Sequence, residues 1–235
     1  MKIIIGLLFC LVLVAPKAQL FEQQVWIETG AKYNLTKKLG ASLDLTQRFG
    51  YDGLSTFFPQ VSFRYKVSSW FRPSMDYRVI LSKSLDGTYS TSQRINGNLQ
   101  FYYTKKRLEA GLRIRYQYSF ERIGAAYDSE FDQAWRIKPS VQYNIKGLPL
   151  TPELSAEFFY NPENSANGNQ FNRIRYYGGA DIELEHNQRI GIGLYLDQWI
   201  NDVPRRRVMY SLSYAISIAN PKKTDEKRSR NLRDL

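Results

Sequence analysis

Residues 108–120 read Leu108-Glu109-Ala110-Gly111-Leu112-Arg113-Ile114-Arg115-Tyr116-Gln117-Tyr118-Ser119-Phe120. The even-numbered residues are apolar or aromatic, and the odd-numbered ones are polar, charged or glycine. Such strict alternation predicts a β-strand with one apolar and one polar face. About thirteen residues at roughly 3.3 Å each, tilted by about 40°, span roughly 30 Å, which is the thickness of a bilayer core. The stretch therefore predicts a strand long enough to cross a membrane.

The same alternation recurs along nearly the whole chain and predicts an all-β fold. We expect an antiparallel, up-and-down transmembrane β-barrel of about 10–12 strands, because diluted apolar signals of this kind are typical of such barrels. Many apolar sets begin or end with an aromatic residue, as in the aromatic belts at membrane interfaces. The predicted strands cover residues 22–33, 40–50, 57–67, 70–81, 92–104, 108–120, 130–144, 150–161, 171–184, 189–199 and 206–218.

The number of strands raises a difficulty. Eleven segments are predicted, whereas single-chain bacterial barrels normally have an even number of strands. Either one strand has been split or merged, or residues 22–33 cross the lumen instead of forming part of the wall. Ten and twelve wall strands both remain open.

The predicted connections alternate between short and long. Bacterial outer-membrane barrels have short periplasmic turns and longer outer loops, so this rhythm favours a membrane barrel. Asp52-Gly53 and Asp86-Gly87 are dipeptides that favour tight turns at hairpin tips. The short connections are 34–39, 68–69, 105–107, 145–149 and 185–188, and the longer ones are 51–56, 82–91, 121–129, 162–170 and 200–205.

The two ends of the chain are expected to lie outside the barrel of residues 19–218. Residues 1–18 resemble a cleaved secretory signal peptide, with Lys2 before an apolar run and Ala18 before the expected cleavage point. Residues 219–235 form a basic tail that we expect to be disordered and periplasmic. The only cysteine, Cys10, lies in the signal peptide, so the exported chain has no disulfide or thiolate metal site. The predicted location is the outer membrane.

The polar face of the predicted strands is dense in charged residues, and we expect them to face the lumen. Two interpretations stay open: acids and bases pair and fill the lumen, or the excess of positive charge lines a narrow path or pocket for a small anionic solute. The basic members are Arg48, Arg64, Arg72, Arg78, Arg94, Arg113, Arg115, Arg136, Arg173 and Arg175. The acidic members are Asp44, Asp76, Glu109, Asp132, Glu153, Glu157, Asp181 and Glu183.

Enzymatic motifs are sparse, and we predict no enzyme, no cofactor and no metal site. The sole histidine, His186, falls in a short turn beside Glu185 and lacks the serine arrangement of barrel lipases. Glu153 and Glu157 are a carboxylate pair of the kind that glycosidases use, but they share the charged face. The residues around 161–170 are rich in asparagine and are predicted to be an outer loop in preference to a calcium site.

The charge pattern also limits the partners. The formal net charge is +11. Its basic residues alternate within strands instead of clustering on one surface, which excludes nucleic acid as a partner. The expected partners are outer-membrane lipid and, under the second interpretation of the lumen, a small anionic solute. The sequence identifies no protein partner.

Several short motifs resemble one family. They are residues 22–33 with Trp26, the run Leu45-Thr46-Gln47-Arg48-Phe49, the pair Tyr77-Arg78, the run Arg113-Ile114-Arg115-Tyr116 and the run Glu157-Phe158-Phe159-Tyr160. Together they are similar to domain of unknown function 2490, a family of bacterial outer-membrane barrels, over about residues 20–218. The resemblance implies an outer-membrane barrel and brings no catalytic residues. The basic tail departs from the usual end of such barrels at a terminal aromatic residue.

Three functional hypotheses follow from the sequence. The first is a non-enzymatic outer-membrane barrel, acting as a structural or assembly component or as a narrow channel with a charge-paired lumen. The second is an outer-membrane enzyme acting on lipid. The third is a soluble exported barrel that binds an apolar ligand, with its apolar face turned inwards. Alternation alone does not separate the first from the third, because it does not say which face points inwards.

Overall fold

The structure is a computed structural model that describes residues 20–84, 86–123, 133–162, 170–200 and 205–218. The predicted signal peptide, 1–18, and the predicted tail, 219–235, lie outside the described residues. Within the described ranges every regular element is a strand, which confirms the all-β class and the count of eleven. The strands are β1 (Leu20–Asn34), β2 (Leu39–Gly50), β3 (Gly53–Tyr65), β4 (Ser74–Lys83), β5 (Tyr89–Lys105), β6 (Leu108–Ile123), β7 (Gln133–Tyr143), β8 (Leu150–Asn161), β9 (Gln170–Glu183), β10 (Gln188–Trp199) and β11 (Arg205–Ile218).

The strands form one closed barrel with a single parallel seam. Consecutive strands pair antiparallel, and β1 pairs parallel with β11, from Leu20 beside Arg205 to Tyr33 beside Ile218. The expectation of a wholly antiparallel barrel is therefore wrong at this seam, because an odd number of alternating strands leaves the first and last pointing the same way. β1 also pairs antiparallel with β2, so residues 22–33 form part of the wall and do not cross the lumen.

The barrel has two ends, which we call the turn end and the loop end. β1 and β11 both begin at the loop end and finish at the turn end. The turn end carries the connections 35–38, 66–73, 106–107, 144–149 and 184–187. The loop end carries the connections 51–52, 84–88, 124–132, 162–169 and 200–204.

Two connections reverse the predicted order of short and long. The short turn expected at residues 68–69 is part of a connection over residues 66–73, so β4 begins at Ser74 instead of residue 70. The backbone of this connection forms hydrogen bonds with its neighbours on both sides, the turn between β1 and β2 and the strand β5. Lys66 N donates to Lys38 O at 2.7 Å, and Tyr102 N donates to Trp70 O at 2.8 Å. Conversely, the long loop expected at 51–56 is a tight turn, because Gly53 already begins β3.

The turn residues explain several hairpins. Gly53 and Gly87 have φ angles of 87° and 85°, a region that glycine enters without strain, which confirms the two Asp-Gly turns. At the second turn Thr88 donates from its amide and its hydroxyl to Asp86 Oδ1, at 2.9 and 2.7 Å. These hydrogen bonds hold the pKa of Asp86 below its ordinary value. His186 and Asn187 both have φ of 59°, as in the type I′ turns that join twisted strands.

The two faces of each strand lie in opposite environments. On β6, Leu108, Leu112 and Tyr118 are exposed on the outside, while Arg115 and Gln117 are buried inside. The buried core therefore lies in the lumen and is mostly polar, and the apolar face forms the outer surface. Among the described residues no helix is long and apolar enough to cross a membrane.

Candidate functional site

Glu157 on β8 is the centre of an ion-pair cluster in the loop-end half of the lumen. Arg113 Nη2 donates to Glu157 Oε1 at 2.6 Å. Arg136 donates from Nε to Oε1 at 3.0 Å and from Nη2 to Oε2 at 2.8 Å. The side chain of Glu157 is only 5% exposed, so one buried carboxylate neutralises parts of two guanidiniums from β6 and β7. The bidentate contact fixes the orientation of the Arg136 and Glu157 side chains.

Asp197 on β10 forms a second cluster beside the first. Arg175 donates from Nε to Asp197 Oδ1 at 2.6 Å and from Nη2 to Oδ2 at 2.8 Å, and Arg173 Nη1 lies 3.5 Å from the same Oδ2. Asp197 is fully buried. Its position opposite Arg175 follows from the antiparallel register of β9 and β10, which places the two residues side by side.

A third cluster joins β4, β5 and β6. Arg115 Nη2 donates to Asp76 Oδ2 at 2.9 Å, and Asn98 Nδ2 donates to the same oxygen at 3.0 Å. Arg115 Nε also donates to the Asn98 side chain. All three residues are buried, and each of the buried carboxylate's hydrogen bonds comes from a different strand. The cluster therefore ties three strands together across the lumen wall.

Aromatic rings connect these clusters. The guanidiniums of Arg173 and Arg136 lie 4.0 and 4.6 Å from the centre of the buried Phe159 ring. Arg48 lies 4.1 Å from the ring centre of Trp26 and 4.8 Å from that of Phe58. Guanidiniums stacked at these distances gain cation–π attraction, which is larger in a desolvated site. We call the three ion-pair clusters and these three rings the arginine network.

Sequence reasoning missed the aromatic half of this network. It assigned only polar residues to the lumen, because aromatic residues were expected on the lipid-facing side. Trp26 nevertheless lies two residues before Glu28, and Phe159 lies two residues after Glu157. Because side chains alternate between the two faces of a strand, this spacing places both rings on the same inner face as the glutamates.

Tyr177 lies flat against the wall of the lumen at two glycines. Its ring centre is 4.5 Å from that of Tyr195, which is 5.3 Å from that of Trp26. A Cβ atom added at Gly179 or Gly193 would collide with the Tyr177 ring. These glycines leave the space that the ring fills, which is one use of glycine within a strand.

The turn-end half of the lumen holds looser ion pairs. Lys138 Nζ lies 3.2 Å from Glu153 Oε1, with the two side chains 23% and 19% exposed. Arg189 Nη1 lies 3.1 Å from Asp181 Oδ2, with side chains 47% and 32% exposed. Each pair is a single contact between partly solvated groups, in contrast to the bidentate buried clusters.

The remaining predicted lumen residues are distributed between the two halves. Arg78 Nε donates to Gln60 Oε1 at 2.9 Å and Arg94 Nε donates to Ser119 Oγ at 3.0 Å. Asp44 accepts a hydrogen bond from Ser42 Oγ at 3.0 Å, and Glu109 accepts one from Thr104 Oγ1 at 3.3 Å. Glu183 is exposed near the turn end, and Arg64 and Arg72 line a cavity there. Asp132 lies outside the described residues.

Cavities follow one another along the lumen in the described part of the barrel. One of about 190 Å³ lies within the arginine network, and one of about 330 Å³ lies in the middle of the barrel. The two share Glu28, Arg113 and Arg115 in their linings. A cavity of about 310 Å³ opens at the turn end, and we call it the turn-side vestibule. Another, of about 270 Å³, adjoins the vestibule and shares Lys32 and Ser217 with its lining. The free space is therefore larger towards the turn end, where the ion pairs are looser.

The structure places the histidine and the carboxylate pair that the sequence singled out. His186 is exposed in the turn between β9 and β10, as predicted from its position in the sequence. Glu157, one of the two carboxylates of the glycosidase-like pair, is held between two arginines. Among the described residues no group of three or more histidine, cysteine, aspartate or glutamate side chains could hold a metal ion.

The fold and the lumen define a class: a closed β-barrel with a charged interior and an apolar exterior. The chain belongs to the family described as "Protein of unknown function (DUF2490)", whose model matches residues 23–209. This match confirms the resemblance drawn from the sequence motifs. No curated protein matches the chain.

One solved structure with a similar outline is described by the words "Unveiling the Mechanism Behind the in-meso Crystallization of Membrane Proteins". It is 11% identical, with 80% of each chain covered and a TM-score of 0.43. This similarity is too low to inform the fold or the function.

Proposed function

We propose that this protein is a non-enzymatic, integral outer-membrane barrel whose lumen is closed to solutes by the arginine network. The observation that carries the proposal is the combination of an apolar exterior with buried, mutually paired charges inside. A channel needs a continuous water-filled path, whereas a structural barrel needs only a filled interior.

The distribution of exposed apolar side chains along the barrel axis fits a bilayer. Aliphatic side chains exposed near the middle of the wall form a belt, and aromatic side chains are exposed towards both ends. Membrane barrels have such a band between two aromatic girdles. The belt includes Leu43, Val61, Leu99, Leu112, Leu154, Ile192, Leu194 and Leu212. The flanking aromatic residues are Tyr33, Tyr65, Trp70, Tyr103 and Tyr143 towards the turn end, and Phe21, Tyr89, Tyr118, Trp135 and Phe171 towards the loop end.

The alternative of a soluble barrel for an apolar ligand requires the opposite arrangement. An apolar pocket would need aliphatic side chains inside and arginines outside. Here the exposed surface carries the leucines, and Arg115, Arg136, Arg173 and Arg175 are buried in the lumen. A soluble protein would also have to keep this large apolar exterior in water, which favours aggregation or a partner surface.

The state of the lumen follows from the energetics of its ion pairs. Separating Asp197 from Arg175 would expose an uncompensated buried charge, which costs about 3–5 kcal/mol. Opening a path through the arginine network would require breaking several such contacts together. In the proposed orientation the turn end faces the periplasm, because the longest connection, over residues 124–132, joins strands at the other end, and bacterial barrels carry their longer loops on the outer side.

Fractionation and bilayer recording test the proposal together. We expect the protein in the outer-membrane fraction, extracted only by detergent, and no channel events from the wild-type protein in planar bilayers. The variant Glu157→Gln, which leaves Arg113 and Arg136 without their carboxylate, should show intermittent events. Recovery in the soluble periplasmic fraction would contradict the membrane location. Steady conductance from the wild type would instead support the narrow channel.

A separate assay addresses the enzyme alternative. Purified protein in mixed micelles should release no fatty acid from phospholipid above the level of a detergent blank. Hydrolysis that disappears in His186→Ala would overturn the non-enzymatic assignment.

A further inference from the structure

The turn-side vestibule is lined by six cationic side chains and by no carboxylate. Its walls come from the turn between β1 and β2 and from the connection between β3 and β4, together with the adjoining strand ends. Hydroxyl and amide groups of Ser42, Ser62 and Asn34 complete the lining. The six cations are Lys32, Lys37, Lys38, Arg64, Lys66 and Arg72.

The vestibule cations form no ion pairs in the ranges that the structure describes, where none of the six lies within bonding distance of an aspartate or glutamate. Lys32 and Arg64 also line the middle cavity, where Asp44 attracts both and offsets part of their charge. The vestibule therefore differs from the arginine network, where acids and bases are in direct contact. The charge of the remaining four cations is available to a ligand.

The backbone that carries the cations is held in place. Thr36 Oγ1 accepts hydrogen bonds from Lys38 N at 3.1 Å and Leu39 N at 2.8 Å. The Lys66 N to Lys38 O bond joins the two walls at 2.7 Å, and Arg72 N donates to Gln100 O at 2.9 Å. The groups converge without a large rearrangement, and a site formed in advance costs less ordering entropy when it binds.

The guanidinium of Arg72 is oriented by contacts within the protein. It lies 4.5 Å from the ring centre of Tyr102, and its Nη2 donates to Ser69 O at 3.4 Å. Its Nε atom is buried, so a ligand in the cavity could reach only the terminal nitrogens. Arg72 therefore contributes positive charge to the vestibule with its orientation already set.

From the charge, the donors and the volume we infer that the turn-side vestibule binds a phosphate group carried by a soluble molecule. Guanidiniums and ammoniums suit phosphate because its oxygens accept several charge-assisted hydrogen bonds at once. Like charges lining a concave, low-dielectric wall also raise the local concentration of anions. A cavity of about 310 Å³ leaves room for a phosphate and part of the group attached to it.

The position of the cavity favours a soluble ligand over a lipid headgroup. Lys32, Ser42 and Ser62 lie on the lumen side of their strands, opposite the exposed Leu43, Val61 and Phe63. Acyl chains would lie against this outer face, with the barrel wall between them and the cations. The inference goes beyond the proposed function, because a closed lumen neither requires nor forbids a ligand at its mouth.

Calorimetric titration of the full chain in a zwitterionic detergent tests the inference. Inorganic phosphate and pyrophosphate are the probes, and sodium chloride at matched ionic strength is the control for non-specific screening. We expect saturable binding, with pyrophosphate tighter than phosphate. The double variant Arg64→Gln/Lys66→Gln should weaken pyrophosphate binding about tenfold or more, since each lost charge-assisted hydrogen bond is costly.

A matched variant separates the site from general surface charge. Lys105 ends β5 and Lys106 lies in the turn to β6, at the same end of the barrel but outside the vestibule lining. The double variant Lys105→Gln/Lys106→Gln removes the same charge and should bind pyrophosphate as the wild type does. Equal weakening in both variants, or no saturable binding by the wild type, would overturn the inference.

Two further readouts keep the test decisive. Heat-modifiable migration on gels reports whether each variant is folded, and the single variants Arg64→Gln and Lys66→Gln replace a double variant that does not fold. Micelles containing phosphatidylglycerol provide the lipid arm. Binding of this lipid in the vestibule without binding of phosphate or pyrophosphate would contradict a soluble ligand. None of these readouts depends on conductance. A titration without binding would therefore overturn the phosphate site but not the closed lumen. Conductance by the wild type would overturn the closed lumen but not the phosphate site.

Discussion

Glu157 in the loop-end half of the lumen accepts hydrogen bonds from two arginines, while Glu153, four residues earlier on the same strand, pairs with Lys138. Both acids face the lumen from β8 and both have basic partners on β7. Their surroundings differ: the side chain of Glu157 is 5% exposed and lies among guanidiniums and the Phe159 ring, whereas that of Glu153 is 19% exposed. Closer to the turn end, none of the six vestibule cations forms an ion pair with an acid that the structure describes.

The comparison shows that a residue's position in the alternating pattern determines whether it faces the lumen. The pattern does not determine how deeply the residue is buried or how many hydrogen bonds it forms. A buried pair repays the cost of losing water only with good geometry and further hydrogen bonds, and the two bidentate pairs, Arg136–Glu157 and Arg175–Asp197, come closest to that condition. A partly solvated pair is screened by water and contributes little. We therefore expect the stability of the barrel to come disproportionately from the loop-end half, and ligand binding to belong to the turn-end half.

The largest difference is expected between the two glutamates of β8. Glu157→Gln should lower the free energy of unfolding by about 3–5 kcal/mol, because it leaves the buried guanidinium of Arg136 and the partly buried one of Arg113 without their counter-charge. Glu153→Gln should lower it by about 1 kcal/mol or less. Urea unfolding in detergent micelles, followed by tryptophan fluorescence, measures both. Similar losses in the two variants would remove the distinction between the halves.

The ring of Phe159 is expected to contribute the next largest effect. Phe159→Leu keeps an apolar side chain but removes the π face on which Arg136 and Arg173 stack, and we expect a loss of about 2 kcal/mol. Phe63→Leu, on the exposed outer face of the turn-end half, is the matched control and should change little in the same unfolding assay. A loss confined to Phe63→Leu would contradict a stabilising role for the stacked arginines.

The contact of Tyr177 with Gly193 predicts a smaller loss. Gly193→Ala should cost about 1–2 kcal/mol, because its Cβ atom would overlap the ring and force it to move. Gly97→Ala places a Cβ atom in open space on β5 and should be close to neutral. The melting temperatures of the two variants check this. The further variant Tyr177→Ser should make Gly193→Ala tolerable if the ring is the cause.

The vestibule cations predict the smallest change in stability. Arg64→Gln and Lys66→Gln should leave the free energy of unfolding within about 0.5 kcal/mol of the wild type, or raise it slightly by relieving like-charge repulsion. Measured beside Glu157→Gln, these variants show whether charge alone or paired burial matters. A loss of several kcal/mol would mean that these side chains are structural and do not form a ligand site.

Much of this architecture could be predicted from the alternation of the sequence. Residues 108–120 predicted the strand that the structure describes as β6, and the eleven segments predicted eleven strands. The parallel seam was missed because the even-number rule led to doubt about residues 22–33, although an odd count by itself requires β1 and β11 to run the same way. The connection over 66–73 was missed because its alternation continues through Phe71 and Pro73, while its backbone bonds to neighbouring strands.

The site was only partly accessible from the sequence. Alternation predicted that Arg115, Arg136 and Glu157 share the inner face, and the structure shows all three buried in the lumen. Which acid pairs with which arginine depends on the strand register and on side-chain reach, and neither is encoded in a local pattern. The same limit applies to the vestibule, since the turn at 35–38 and the connection at 66–73 meet only after the sheet has formed.

Cysteine accessibility along the lumen tests the central claim most directly. The only native cysteine is Cys10, so the variant Cys10→Ser provides a cysteine-free background. Ser42→Cys reports on the turn-end half, and Ser92→Cys, at a buried position on β5, reports on the loop-end half. A membrane-impermeant, charged thiol reagent should modify Ser42→Cys rapidly in the folded barrel and Ser92→Cys only after unfolding. Rapid modification of Ser92→Cys in the folded protein would contradict a lumen closed at the arginine network.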